Sequence, residues 1–108
     1  PSVVADPSRL RMQRYAQWLP YLSWVSLGEG GTSCLSFPSL ADEVKAKAVY
    51  IKNEGQNPSG SHKDRVSCLT VTRAGDAGYD RIVAASSGNG GASLALYAAA
   101  AGLRCCIV

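Results

Sequence analysis

A unit of strand, loop and helix that occurs twice between residues 48 and 108, followed by a last strand, constrains the fold of this chain more than any other feature. Short apolar strands are predicted at 48–52, 81–85 and 103–108. These strands are too apolar for a sheet with one face in water, and parallel strands need helical crossovers. The sequence therefore predicts an α/β fold: a parallel sheet with helices on both faces, in three layers.

Capping patterns predict where the helices of this unit begin and end. Ser61 with Asp64 three residues later has the spacing of a capping box, which opens the first helix. Gly78 is the predicted cap at the carboxyl end of that helix. After a glycine-rich loop at 86–91, an alanine-rich helix is predicted over 92–101.

Ahead of this unit, the sequence predicts two further helices. The pair Asp6-Pro7 is typical of a helix start, and Pro20 ends or bends that segment. Ser39 and Asp42 again have capping-box spacing, which predicts a short second helix. The apolar residues that recur with helical spacing in the first of these helices are Tyr15, Trp18, Leu19 and Leu22.

The length of the chain, 108 residues, is enough for one small domain. We divide it into an N-terminal segment, 1–47, and the βαβαβ unit, 48–108. The last predicted strand feeds no further element, and the first residue is not Met. We therefore expect the chain to be a fragment of a longer protein.

Composition and charge argue against several classes of protein. Apolar residues make up 46% of the chain and charged residues 18%, as in a soluble globular domain. The net charge of +3 is spread along the chain without a basic block, so nucleic-acid binding has little support. No apolar run reaches the roughly 18 residues of a membrane span, and residues 1–6 lack the features of a signal peptide. We expect no membrane contact and a cytoplasmic location.

The four cysteines, Cys34, Cys68, Cys105 and Cys106, lack the spacing of a Cys-x-x-Cys motif. Neighbouring residues in a strand point to opposite faces, so Cys105 and Cys106 are not expected to pair with each other. We expect buried, reduced thiols and no metal site.

Lys63 is the first candidate for chemistry, because it lies in the first turn of its predicted helix. Open parallel sheets bind ligands beyond the carboxyl ends of their strands, where helices begin. The helix N-terminus carries partial positive charge, which favours the neutral amine that attacks an aldehyde. The neighbouring Asp64 leaves a second interpretation open, an exposed lysine balanced by its neighbour.

The loop at 86–91 is the second candidate. Ser86 and Ser87 offer hydroxyls, Asn89 offers an amide, and three glycines let the backbone approach a ligand closely. Together with the free N–H groups of a helix start, these groups suit a carboxylate or a phosphate. The alternative is a tight strand-to-helix turn that binds nothing.

Two nucleotide-binding motifs are present only in broken form. Gly55 and Gly60 have P-loop spacing, but Ser61 stands where that motif needs its lysine. The glycines of 86–91 begin a dinucleotide fingerprint, but Ser93 replaces the third glycine. Nucleotide binding is therefore a weak alternative.

Four segments of the chain are informative when they are considered together: residues 14–20, 25–32, 52–65 and 87–89. In the same order and at compatible spacings, they resemble segments of threonine synthases within the fold-type II (tryptophan-synthase-β-like) pyridoxal-phosphate enzymes. Residues 52–65, KNEGQNPSGSHKDR, resemble the segment that carries the cofactor lysine. Residues 25–32, VSLGEGGT, and 14–20, RYAQWLP, resemble the entry motif and the segment before it. Residues 87–89, SGN, resemble the asparagine loop of the family.

The resemblance implies a role for each candidate residue. Lys63 would bind pyridoxal 5′-phosphate as a Schiff base and then move protons on the substrate. Asn89 would hydrogen-bond the 3′-hydroxyl of the pyridine ring. The substrate α-carboxylate would be bound by side chains and backbone of the same loop, at Ser86, Ser87, Gly88, Asn89 and Gly90.

The resemblance also implies an activity. We expect a lyase that converts O-phosphohomoserine to threonine, acting on a small amino-acid substrate as a homodimer when full length. Related dehydratases or ammonia-lyases, and cysteate or diaminopropionate synthases, share these motifs and remain alternatives. A hypothesis from another class is a non-catalytic fragment that binds an anion or a partner. We expect the 108 residues alone to be inactive, because the family's phosphate-binding loop and pyridine-nitrogen partner lie downstream.

Three positions depart from the family pattern. His62 replaces a phenylalanine, and its ring is expected to fill the space of that side chain rather than carry protons. Gly90 replaces a residue such as threonine, so carboxylate binding there would rely on the backbone. Ser33 stands in place of a proline. These departures bear on the substrate more than on the cofactor.

Overall fold

The computed structural model describes residues 5–21 and 23–108. Over these residues the chain forms two 3₁₀ helices, three α-helices and four short β-strands. In chain order they are a first 3₁₀ helix (Arg11–Trp18), β1 (Cys34–Ser36), α1 (Pro38–Glu43), β2 (Tyr50–Lys52), a second 3₁₀ helix (Glu54–Gln56), α2 (Lys63–Asp76), β3 (Arg81–Ala84), α3 (Asn89–Ala100) and β4 (Arg104–Ile107).

The strands form two separate two-stranded sheets. β3 and β4 are parallel, with Arg81 opposite Arg104 and Ala84 opposite Ile107, as the crossover pattern predicts. β2 lies within the predicted strand 48–52 but does not join them, because it pairs antiparallel with β1. Within the described residues, the single parallel sheet expected for all three predicted strands is therefore not observed. The sequence also missed β1, which is only three residues long and carries no alternating pattern.

The hydrophobic core lies between α2, α3 and one face of the β3–β4 sheet. Its fully or nearly buried members are Cys68, Val71, Leu94, Tyr97 and Ala98. Side chains from the sheet that pack against it include Ile82, Ala84 and Cys105. This arrangement is the two-layer half of an α/β fold.

The other face of the β3–β4 sheet is bare in the described part of the chain. Val83 is 63% exposed, Val108 is 76% exposed, and Cys106 is exposed as well. Side chains alternate between the faces of a strand, so these apolar residues share one face. Of the predicted three layers, the described residues form two.

Helix α2 begins at Lys63, and Ser61 caps it in part. The Ser61 hydroxyl accepts a hydrogen bond from the Lys63 backbone N–H at 3.1 Å. Asp64 does not complete the predicted capping box, because its carboxylate accepts hydrogen bonds from Ser59 and Ser93 instead. The contact with Ser93 on α3 is thus formed in place of the predicted local cap.

The predicted end of α2 is confirmed. Gly78 follows the helix with a φ of +76°, a conformation that glycine adopts without strain. The backbone N–H of Tyr79 donates to the carbonyl of Ala74 at 2.9 Å, and that of Gly78 donates to Gly75. These two bonds are the Schellman arrangement that satisfies the last carbonyls of a helix.

Helix α3 begins at Asn89, three residues before the prediction. The predicted loop 86–91 therefore ends at Gly88, whose φ is +119°. Close packing explains why glycines stand inside the first turn. A Cβ on Gly90 would lie 2.8 Å from the Ser86 hydroxyl oxygen, and one on Gly91 would lie 2.9 Å from Cγ2 of Ile107.

The helix predicted to begin at Asp6-Pro7 begins later and is tighter. The first 3₁₀ helix starts at Arg11, and the Asp6 carboxylate instead accepts a hydrogen bond from the Ser8 backbone N–H at 2.9 Å. This is a local turn that competes with helix formation. Leu22, which the helical spacing included, lies outside the described residues.

The short predicted helix near residue 40 is present as α1, but without its capping box. Pro38 occupies the first helical position, where its fixed φ suits a helix start. Ser39 lies inside the helix, and no side chain of the described residues caps the N-terminus of α1. The proline, not the Ser39–Asp42 pair, marks this start.

The cysteines differ in their surroundings. Cys68 is buried, as expected, and Cys105 is half-buried, but Cys34 and Cys106 are exposed. All four thiols, which lie within the described residues, are free. Across residues 5–21 and 23–108, none of the helices has the length and apolar character needed to cross a bilayer.

Candidate functional site

A cleft of about 430 Å³ opens where α2 and α3 begin. It contains five of the six residues predicted to form the site, and we call it the Lys63 cleft. Gly88 is the sixth, and it is not part of the wall. The lining residues, among those that the structure describes, are Lys63, Val66, Ser67, Thr70, Ser86, Ser87, Asn89, Gly90 and Leu94.

Four of the lining residues were not predicted, and helical periodicity could have found three of them. Val66, Ser67 and Thr70 follow Lys63 by three, four and seven residues, which places them on one face of α2. Leu94 extends the wall from α3. The sequence analysis considered the two helix starts and overlooked the faces that continue from them.

Lys63 is exposed and stands at the first residue of α2. Its amine shares the cleft with hydroxyls, an amide and apolar groups, and no carboxylate of the described residues lines the wall. Asp64 is fully buried and bound by Ser59 and Ser93. Asp64 is therefore not the exposed counterion that the alternative interpretation, an exposed lysine balanced by its neighbour, requires.

The opposite wall of the cleft presents hydrogen-bonding groups at the start of α3. Ser86, Ser87 and Asn89 contribute side chains, and Gly90 contributes backbone. The first N–H groups of a helix have no partner within it, and the helix dipole adds positive potential there. This wall can receive an anionic group next to the Lys63 amine.

An ion pair supports the segment that leads into Lys63. Arg65 donates from Nε and Nη2 to the two carboxylate oxygens of Glu54, at 2.7 and 2.8 Å. These hydrogen bonds lower the pKa of Glu54 to about 2 and raise the pKa of Arg65. Glu54 also accepts a hydrogen bond from the Thr32 hydroxyl at 2.7 Å.

Asn57 ties the same segment to the glycine-rich turn upstream. It is 4% exposed, and its amide donates to the carboxylate of Glu54 at 3.0 Å. Its side-chain oxygen accepts from the Gly30 backbone N–H at 2.9 Å. The segments 25–32 and 52–65 are thus hydrogen-bonded to each other. The residues that make these bonds support the segment before Lys63 and do not line the cleft.

Glu29 lies fully buried in a polar cluster. It accepts hydrogen bonds from the Tyr97 hydroxyl at 2.8 Å and from the Ser26 hydroxyl at 3.0 Å. Burial raises the pKa of Glu29, but hydrogen bonds from its own backbone and from Tyr97 outweigh burial and lower it. The pKa of Tyr97 is raised, by burial and by the Glu29 carboxylate.

Two of the departures from the family pattern have a structural outcome. His62 is exposed and does not line the cleft. The backbone N–H of Ser33 donates to the side-chain oxygen of Gln56 at 2.7 Å. A proline has no N–H and could not make this bond.

The geometry agrees with the comparisons to known proteins. Residues 25–108 match the family model described as "Pyridoxal-phosphate dependent enzyme". The chain belongs to this family.

Threonine synthases are among its relatives. Over 98 residues it is 44% identical to that of Methanocaldococcus jannaschii, which covers 88% of the chain and 24% of the relative. It is 42% identical over 100 residues to that of Halalkalibacterium halodurans, with 90% and 28% covered. It is 39% identical over 108 residues to that of Mycobacterium leprae, with 100% and 28% covered. The chain spans about a quarter of the length of these curated relatives.

The Lys63 cleft fits the cofactor that gives the family its name. An aldehyde needs an amine, which Lys63 supplies, and a planar aromatic ring needs an apolar surface, which Leu94 and Val66 supply. The cleft volume of about 430 Å³ falls within the roughly 300–1,000 Å³ of small-molecule sites.

Proposed function

We propose that this chain is the N-terminal part of a pyridoxal-phosphate-dependent lyase of the threonine-synthase type, which converts O-phosphohomoserine to threonine. One observation carries the proposal: Lys63 and Asn89 begin neighbouring helices and line the same cleft. The threonine synthases among its relatives support this substrate over those of the related dehydratases, ammonia-lyases and synthases.

Lys63 is the residue to which the cofactor is attached, and its amine is the base that moves protons on the substrate. Its amine stands at a helix N-terminus, in a cleft wall where the described residues present no carboxylate, and an amine is the nucleophile that an aldehyde needs. The cofactor, when bound, supplies the electron sink that such chemistry requires.

The α3 wall orients the ligands. The Asn89 amide would hold the ring hydroxyl of the cofactor by a hydrogen bond. The substrate α-carboxylate is held by the hydroxyls of Ser86 and Ser87 and by backbone N–H groups over 88–90. Since a Cβ on Gly90 would clash with the Ser86 hydroxyl, backbone rather than side chain serves the substrate at this position.

The remainder of the enzyme completes the fold. We place an N-terminal segment at 1–47 and the unit that carries the cofactor lysine at 48–108. The bare face with Val83, Cys106 and Val108 is covered by further helices of the longer chain, which gives the three-layer αβα architecture. The full-length enzyme is cytoplasmic and forms a homodimer.

The experiment that tests this function uses the full-length protein with pyridoxal phosphate. Lys63→Ala should abolish turnover of O-phosphohomoserine and the visible absorption of bound cofactor. Lys47→Ala, which removes an exposed lysine outside the cleft, should change neither. Threonine, serine and phosphoserine, assayed side by side, should turn over far more slowly. Faster turnover of serine or threonine than of O-phosphohomoserine would identify the enzyme as a dehydratase instead of a synthase.

A further inference from the structure

Buried side chains join the two helices on which the Lys63 cleft is built. The Ser93 hydroxyl oxygen on α3 lies 2.8 Å from that of Ser67 on α2 and 2.6 Å from a carboxylate oxygen of Asp64. Ser93 and Asp64 are fully buried, and Ser67 is 4% exposed. We call these three residues the serine bridge.

The direction of the hydrogen bonds follows from the groups in the serine bridge. A carboxylate only accepts, so the Ser93 hydroxyl donates its single hydrogen to Asp64 and accepts from Ser67. Asp64 is also held by Ser59, whose backbone N–H donates at 2.6 Å and whose hydroxyl donates as well. The chain of hydrogen bonds therefore runs from the cleft wall, at Ser67, to the segment before Lys63, at Ser59.

Helical spacing places the serine bridge directly beyond the two residues at the centre of the site. Ser67 follows Lys63 by four residues, and Ser93 follows Asn89 by four. Residues four apart lie on the same face of a helix, one turn from each other. The bridge thus joins α2 and α3 one turn, about 5.4 Å, from the residues that begin them.

A buried polar bridge acts on geometry more than on stability. Apolar side chains of the same size would hold two helices together about as well. Buried hydroxyls and a carboxylate differ from apolar side chains because their hydrogen bonds form at only one relative position of the two helices. A shift of one helix would leave buried polar groups without partners. The relative position of the helices that keeps these hydrogen bonds also fixes the distance between the starts of α2 and α3.

We propose that Ser67, Ser93 and Asp64 are positioning residues that set the separation of Lys63 and Asn89. They hold the amine that bears the cofactor and the amide that orients its ring in one geometry. This inference rests on the proposed function, because that function gives the two helix starts a common ligand to hold.

The test compares Ser93→Ala with Ser39→Ala in the full-length holoenzyme. Ser39 is an exposed serine inside α1, outside the cleft, and offers the same substitution in a helix as a control. Ser93→Ala should lower kcat by about 10- to 100-fold with a smaller change in KM, because misplacement of reacting groups by about 1 Å costs that much. It should also shift the visible absorption band of the bound cofactor and the pH at which that band changes. Ser39→Ala should leave kcat, the band and its pH midpoint unchanged.

A second variant keeps the test decisive where Ser93→Ala folds poorly. Ser67→Ala leaves the bond between Ser93 and Asp64 in place and should shift the band in the same direction. The Ser67→Ala/Ser93→Ala double variant should lose no more activity than Ser93→Ala alone, because residues of one network are not additive.

The outcomes separate this inference from the proposed function. Wild-type protein without covalently bound cofactor would overturn the proposed function. Wild-type protein that binds cofactor at Lys63, with Ser93→Ala and Ser67→Ala both retaining its kcat and spectrum, would overturn the serine bridge alone. An equal loss in Ser39→Ala would overturn it too.

Discussion

Arg65 and Glu54 form an ion pair through two hydrogen bonds of 2.7 and 2.8 Å at the base of the lysine-bearing segment. The side chains are 30% and 27% exposed, so solvent screens the pair only in part. Thr32 and Asn57 bond to the same carboxylate, which connects the pair to the glycine-rich turn. This pair makes the stability of the segment dependent on pH.

Glu54→Gln should lower the free energy of unfolding by about 2 kcal/mol at pH 7, with allowance for solvent screening. The pKa of Glu54 is about 2 in the folded chain, against 4.5 without the pair. A lowered pKa stabilises the fold above pH 4.5, and that contribution is lost as the pH falls towards 2. The difference between variant and wild type should therefore shrink to about a quarter at pH 2.5. Urea unfolding at both pH values checks this, with Glu43→Gln as an exposed control. A loss of equal size at both pH values would contradict it.

Gly91→Ala should destabilise the protein by about 1–3 kcal/mol, as overpacking does. The new Cβ would lie 2.9 Å from Cγ2 of Ile107 and 3.1 Å from the carbonyl oxygen of Ser86. Gly75→Ala is the matched control, because Gly75 also lies in a helix and a Cβ added there would meet no described atom within 4 Å. It should stabilise by about 0.5–1 kcal/mol. Thermal unfolding of the two variants checks the sign of each, and equal shifts would show that α3 does not pack as described.

Cys106 reports on the proposed third layer. It is exposed on the bare face of the β3–β4 sheet. If further helices cover this face in the full-length enzyme, Cys106 should resist a thiol reagent until the enzyme is denatured. Cys68 is the internal standard, because it is buried and burial raises its pKa, which disfavours the reactive thiolate. Rapid labelling of Cys106 in the native full-length enzyme would argue against a layer on that face.

The 108-residue chain alone should show no turnover of O-phosphohomoserine and should bind pyridoxal phosphate much more weakly than the full-length enzyme. The chain spans about a quarter of its curated relatives, and the Lys63 cleft supplies only one side of a cofactor site. Absorbance titration with the cofactor and an activity assay check both statements. Turnover by the chain alone would contradict them and would place the whole site within these residues.

The sequence singled out residues that share the Lys63 cleft, but it predicted only part of the sheet pairing. Lys63 and Asn89 line one cleft, and each begins a helix. The Ser61 cap indicated the helix start near Lys63, whereas the start at Asn89 was predicted three residues too late. The pairing of β1 with β2 was not readable, since each strand has three residues and all of them are exposed. Nothing in so short a run distinguishes a strand of an antiparallel pair from a member of a parallel sheet.

Two local patterns gave wrong predictions because tertiary contacts decided them. Asp64 has the spacing of a capping residue, but its carboxylate accepts a hydrogen bond from Ser93, which lies far along the chain. The glycines at 90 and 91 suggest a loop, yet they lie inside α3. A Cβ added there would lie 2.8 Å from the Ser86 hydroxyl oxygen at position 90 and 2.9 Å from Cγ2 of Ile107 at position 91. Both exceptions lie beside the cleft, where contacts with other parts of the chain decide the local structure.

Borohydride reduction of the full-length holoenzyme, followed by peptide mapping, tests the central claim most directly. Reduction makes the bond between cofactor and lysine permanent, so the labelled peptide identifies the residue that carries the cofactor. The account predicts a single label, on Lys63. A label on Lys45, Lys47 or Lys52, or no label on a protein that turns over its substrate, would contradict it.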